Sequence, residues 1–329
     1  MNNKYIIKNT TDLANPLLGT KIVRCTDEFF ASARRIINSS PPIFKENVFD
    51  SHGKWMDGWE TRRRRSKGND NVIIKLGKPG IIKLVDVDTT FFNGNQPEYA
   101  ELEGCFSKNS NLKNVKWFKI AKKNKIKPNQ SNILKSKSLK TFNFVRLNIF
   151  PDGGVARLRL FGDIDLSLQK ISNKNIIDLA SVNNGSQVVV CSDEHFGNAN
   201  NILLPSKSKN MGNGWETRRR RGKGYDWVLL KLGISGYPIS FEINTHYFKG
   251  NYPDSFSIQG VNNNKKKSIN SIIKNSKKWK TIITKTKLKP DNSLKIKMLK
   301  KFYKKYNFIK LNIYPDGGIS RFRVFGKIK

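Results

Sequence analysis

Sixteen arginines stand against 46 lysines in this chain of 329 residues, and 13 of the 16 fall in blocks that occur twice. The lysines keep company with Asn, Ile and Ser throughout, the residue bias of an AT-rich gene. The formal net charge of +37 therefore reads as drift on a solvated surface. A chain drifting toward Lys keeps Arg chiefly where a flat, two-pronged guanidinium matters and a point charge does not serve. The arginines thus mark structural or anion-binding forks. Eight lie in Gly58-Trp59-Glu60-Thr61-Arg62-Arg63-Arg64-Arg65 and its copy Gly214-Trp215-Glu216-Thr217-Arg218-Arg219-Arg220-Arg221; the other five are Arg146, Arg157, Arg159, Arg321 and Arg323. Read as extended, the first block puts Trp59, Thr61, Arg63 and Arg65 on one side, so Glu60 and Arg62 share the other. A further carboxylate, Asp88, closes Val85-Asp86-Val87-Asp88 just before the Asn-Gly turn of residues 89–95. Such a loop, at the mouth of a sandwich, is where ligand groups usually sit. The acidic turn Asp27-Glu28 is a weaker candidate of the same kind.

Other chemistries have little to stand on. Cys25, Cys105 and Cys191 show neither CxxC spacing nor an even count, which argues against a zinc site or a disulfide framework. Cys25 and Cys191 match between the halves and read as small apolar core residues on a strand. His52, His195 and His246 occupy unmatched positions, and a lone His is more often structural than a ligand. A basic balance points to nucleic acid, yet the aromatics lie in apolar strands and Phe-rich loops instead of interleaving a basic face. No nucleic-acid partner is expected. No apolar run approaches 18 residues and the polar start lacks a signal-peptide core, so the expectation is a soluble, cytoplasmic protein with no membrane partner.

The elements that must position these residues come as a duplication. An offset of 156 carries the Gly58 block onto the Gly214 block and continues to Phe92, Gly94, Asn95 and Pro97 against Phe248, Gly250, Asn251 and Pro253. A period of that length means duplicated domains, expected here over 5–165 and 166–329. The first repeat carries ten extra residues including Pro41-Pro42 and His52, a surface loop. Residues 71–76 and 227–232 read as buried strands. Each repeat closes with strand, Pro-Asp-Gly-Gly turn and strand, with Arg157 and Arg159 on one face of the last. Lys/Asn/Ser-rich stretches 122–140 and 262–278 read as mobile surface. Strand signals recur and no long 3.6-residue period appears, so the class is all-β, with two tandem sandwiches.

The run 54–63, the run 88–95, Asp193-Glu194-His195-Phe196-Gly197 and the paired Pro-Asp-Gly-Gly blocks together resemble the allantoicase family, over both repeats. The resemblance implies two galactose-binding-like jelly rolls, hydrolysis of allantoate to ureidoglycolate and urea in purine breakdown, and a homo-oligomer. Allantoate is a small anion whose central carbon bears a carboxylate and two ureido groups. Its site needs a guanidinium fork, acid/base carboxylates and amide-like partners. The first repeat offers Glu60 and Asp88 as catalytic carboxylates and Arg63, Asn95, Arg62, Asp27 and Glu28 as substrate contacts. The residues' own structural readings are an ion pair for Glu60, a strand-end cap for Asp88 and a turn former for Asn95. No activated Ser or Cys is called for and no cofactor is required; an oxygen-ligand site for a divalent metal stays open. The second repeat departs from the family pattern at Asn213, Asn244 and Tyr247, which places the intact set in the first. The competing readings are a non-catalytic jelly roll that binds a sugar or other small ligand, and a drifted, weakly active enzyme.

Overall fold

Apolar and β-branched residues run almost unbroken from residue 71 to 76 and alternate from 82 to 87. The computed structural model makes Asp70–Asp88 one strand of 19 residues. Its first half pairs antiparallel with Lys21–Cys25 on one side and Phe142–Phe150 on the other. Phe142–Phe150 pairs onward with Tyr99–Cys105, and that strand with Phe118–Lys125. Its second half pairs with Arg157–Ile164, itself flanked by Thr11–Asp12, and with Ser131–Lys135. One segment therefore serves both layers of a sandwich. It changes layer around Gly77, where a Cβ would lie 2.1 Å from the Leu18 carbonyl oxygen, so only glycine admits the crossing chain. Val72, Ile74, Leu84, Val87, Leu147 and Leu158 face inward with no solvent exposure. Each such side chain contributes roughly 1.5–3 kcal/mol by leaving water.

The structure describes residues 3–8, 10–109, 111–168, 172, 175–263 and 269–328. The chain divides into two units, Met1–Leu168 and Gln169–Lys329. Each is a jelly-roll sandwich. In the second unit Asp226–Asn244 plays the part of the long strand, pairing with Gln187–Cys191, Tyr306–Tyr314, Arg321–Lys327 and Ser293–Lys297. No helix among the described residues is long and apolar enough to cross a membrane.

Three expectations from sequence are corrected. The stretch 122–140 is not loose surface: it holds Ser131–Lys135, whose Leu134 and Asn132 are buried, with Asn132 Nδ2 donating to the Val87 carbonyl at 3.1 Å. Its alternation is short and masked by the surrounding Lys and Asn. Within 262–278, Ile269–Ser276 is a helix that packs Ile272 against Phe308 and Leu229, while 264–268 lie outside the described residues. Cys25 and Cys191 end their strands half-buried, since register shifts between Ile22 and Arg24 and between Val188 and Val190 break the alternation; the buried thiol is Cys105.

Candidate active site

Trp59–Glu60 is a strand of only two residues, and long-range pairing holds it on both sides. Glu60 N donates to Ala31 O at 3.1 Å, and Glu60 lies opposite Gly154 in the closing turn. The Trp59 ring is fully buried and its Nε1 donates to the Asp27 carbonyl at 2.7 Å. The loop after Asp88 is pinned by Phe92, also fully buried, which lies beneath Gly154; a Cβ there would stand 2.0 Å from the ring. Gly154 N then donates to Asn95 O at 2.7 Å, which sets Asn95 beside Glu60. The outcome is a hydrogen bond from Asn95 Nδ2 to Glu60 Oε1 at 2.8 Å. Glu60 is half-buried. Burial pushes its carboxyl above the usual range, and the Asn95 hydrogen bond offsets part of that rise.

The run of four arginines separates into different tasks. Arg62 lies against Asp27, with Nη2 2.6 Å and Nε 2.7 Å from Oδ2, and its guanidinium lies over the Phe29 ring. Burial acts to raise the Asp27 carboxyl, but hydrogen bonds from the Arg62 and Phe29 backbone and from the Arg62 side chain outweigh it and hold it low. Arg64 turns inward to Asp70 at 3.0 Å, and its backbone N donates to Asp152 Oδ2 at 2.7 Å. Arg63 is exposed and forms no ion pair among the described residues. The expected alternation thus holds only through Thr61. Beyond it the backbone N–H groups of Arg62 and Arg64 meet side-chain carboxylates, not a neighbouring strand.

Not every expected residue reaches the Glu60–Asn95 pair. Glu28 Oε2 accepts from Ala33 N at 2.8 Å and Ser32 Oγ at 3.1 Å, fixing the short helical turn Ala33–Ile37. Asp88 Oδ1 accepts from Thr90 N at 2.8 Å and Thr90 Oγ1 at 2.5 Å, the work of a strand-end cap. Its counterpart Asn244 makes the same bond to His246 N at 2.9 Å and is absent from the cleft lining in that repeat. Carboxylate and amide oxygens serve this task equally, so the cap by itself does not account for a carboxylate at position 88. Among the described residues no group of three or more His, Cys, Asp or Glu stands together to hold a metal ion.

The second repeat builds the pair again. Glu216 Oε1 accepts from Asn251 Nδ2 at 2.6 Å, and Gly318 N donates to Asn251 O at 2.8 Å. They line a cleft of about 670 Å³ with Arg219, Tyr252, Asp316 and Phe196. Arg220 lines it as well, but is tied to Asp226; Arg219, the exposed one, corresponds to Arg63 at the offset of 156. The rim position missed from sequence is Met211, whose sulfur lies 3.8 Å from Asn251 Nδ2; its counterpart, at the common offset, is Trp55.

A family model for the allantoicase repeat matches residues 11–165 and again 177–329. The chain belongs to the allantoicase family. A probable allantoicase of Acinetobacter baumannii is 43% identical over 323 residues, spanning 98% of this chain and 95% of that protein. One of Pseudomonas fluorescens is 42% identical and covers 96% of each. The crystal structure of allantoicase from Saccharomyces cerevisiae superposes with a TM-score of 0.83 at 32% identity, over 98% of this chain and 96% of that one. Both allantoicase repeats carry the Glu–Asn pair and the exposed arginine three residues after the glutamate.

Proposed function

We propose that this chain hydrolyses allantoate to ureidoglycolate and urea, with Glu60, Asn95 and Arg63 as the working residues of the first repeat. The observation that carries the reading is the 2.8 Å Glu60–Asn95 pair, a half-buried carboxyl whose proton is held above the usual range, in a chain of this family. Arg63 presents an unpaired fork for the substrate carboxylate. Asn95 Oδ1 accepts from a ureido N–H. Since Asn95 donates to Glu60 Oε1, the carboxyl proton resides on Oε2. That proton passes to the nitrogen of the departing ureido group, the C–N bond breaks and urea leaves with the bonding electron pair. The remaining carbon, electron-poor beside its second ureido nitrogen, takes the oxygen of water. Glu60 recovers a proton from that water, so the cycle closes with one water consumed.

An acid role requires the protonated carboxyl, so it predicts an alkaline limb: turnover falls as pH rises through the Glu60 value, which burial raises. The test is urea release from allantoate by purified protein across pH, for the native chain and Glu60→Gln. Absence of urea above the uncatalysed rate refutes the function. An alkaline limb that persists when Glu60→Gln is combined with Glu216→Gln, the matching substitution in the second repeat, refutes the acid role of the paired glutamate. The cytoplasmic setting and the homo-oligomer belong to the same proposal, and light scattering measures the latter.

A further inference from the structure

We propose that the second repeat carries an independent active site for the same class of small anionic ureide, so that each chain works at two clefts. This rests on the hydrolase reading above. Six residues lining the 670 Å³ cleft, Glu216, Thr217, Arg219, Asn251, Asp316 and Gly317, are the same letters as Glu60, Thr61, Arg63, Asn95, Asp152 and Gly153. The supports are the same too. Trp215 Nε1 donates to the Asp193 carbonyl at 2.8 Å, Arg218 pairs with Asp193 at 3.0 Å, and Arg220 pairs with Asp226 at 2.5 Å, leaving Arg219 exposed.

Asn213, Asn244 and Tyr247, the departures from the family pattern, fall outside this lining, within which Tyr252 and Asp254 replace Gln96 and Glu98. Asn244 caps His246, and Asn213 sits beside the buried Arg321, where it supplies a backbone carbonyl at 2.7 Å. His246 faces Asp291 at 3.4 Å. Arg219 forms no ion pair among the described residues, so no ion pair there accounts for a guanidinium in a chain of 46 lysines. A fork for a ligand carboxylate does. The step is the one proposed for the first repeat with Glu216 in the place of Glu60: the departing ureido nitrogen takes the bonding pair and a proton as urea leaves, and water supplies the hydroxyl to carbon and returns the proton.

The rims differ. In the first repeat position 55 is a tryptophan with Arg35 and Lys45 over its ring at 5.2 and 4.8 Å, and in the second it is the uncharged thioether of Met211. Two extra cations at the first rim attract an anion more strongly, so the first cleft has the lower KM.

Urea release from allantoate is measured on the full chain as native protein, Glu60→Gln, Glu216→Gln and the double variant, with thermal melts to establish that the isosteric variants fold. Each single variant is expected to lose its own cleft's share of turnover and to keep the other's with single-site saturation, Glu60→Gln at the higher KM. The double variant is expected to fall by about 10²-fold or more. The inference is overturned if either substitution alone brings turnover down to the level of the double variant. A native chain that releases no urea refutes the hydrolase reading, and this inference with it.

Discussion

Asp57→Asn should destabilise the first repeat, and Asn213→Asp should stabilise the second, because the two repeats hold the same buried arginine with and without a carboxylate. Arg157 is 1% exposed, and its guanidinium donates to the carbonyls of Ser40, Asp57, Ala156 and Pro41 and, through Nη2, to Asp57 Oδ2 at 2.6 Å. Arg321 repeats the carbonyl contacts to Ser206, Asn213 and Ser320, but its Nη2 is buried with no partner. Burial, followed by the charge of Arg323, lowers its pKa to about 10. Asp57→Asn leaves the carbonyl bonds and removes one charge-assisted hydrogen bond, a loss of about 1.5–3 kcal/mol. At roughly 2–4 °C per kcal/mol for a domain of this size, the first repeat melts about 3–12 °C lower. The reverse change recovers less, about 1 kcal/mol, since desolvating a new carboxylate offsets part of the gain. Asn213 Oδ1 already accepts from Lys209 N at 3.2 Å, as Asp57 Oδ2 accepts from Ile43 N at 3.0 Å, so the new carboxylate needs no change of backbone. Calorimetry of the full chain reads both transitions. An unchanged melt for Asp57→Asn, or a lowered one for Asn213→Asp, would refute the reasoning.

With the second cleft silenced by Glu216→Gln, Arg63→Lys should raise KM for allantoate by about tenfold with little change in melting, because charge survives and the fork does not; equal loss of stability would make Arg63 structural. In the same Glu216→Gln background, Asp88→Asn should keep urea release within about twofold, since Asn244 already caps its turn, and a fall of about 10²-fold would make Asp88 an acid/base group. Asp86 is raised to about 6 by burial, with the charge of Asp88 adding to the rise against Ser131 and Arg159. Its folded form holds a proton longer than the unfolded chain, whose value is about 3.9. The stability it contributes is therefore full below about pH 4 and lost as pH rises to about 6. Asp86→Asn should raise the melting temperature at pH 8 and not at pH 4; an equal shift at both would remove the titration from the account.

Much was legible in the letters because it depends on local pattern or on repetition. Duplication by a fixed offset, strands from period two, the inward valines beside Asp86 and Asp88, and the block that carries the family resemblance all follow from residue order. The separation of Arg62, Arg63 and Arg64 does not. Three adjacent identical side chains have no local difference; Asp27 and Asp70, 35 and 6 residues away, claim the outer two and leave the middle one exposed. Asp88 offered a carboxylate in a loop that looked functional, and Thr90, through its backbone N–H and its hydroxyl, engaged it as a cap. Glu60 and Asn95, 35 residues apart, meet because Ala31, Gly154 and the buried Phe92 bring their backbones together. Sequence determined which groups were present. Pairing between distant strands decided which were satisfied by the fold and which were left to face a ligand, since a hydrogen bond is set by distances that residue order does not contain.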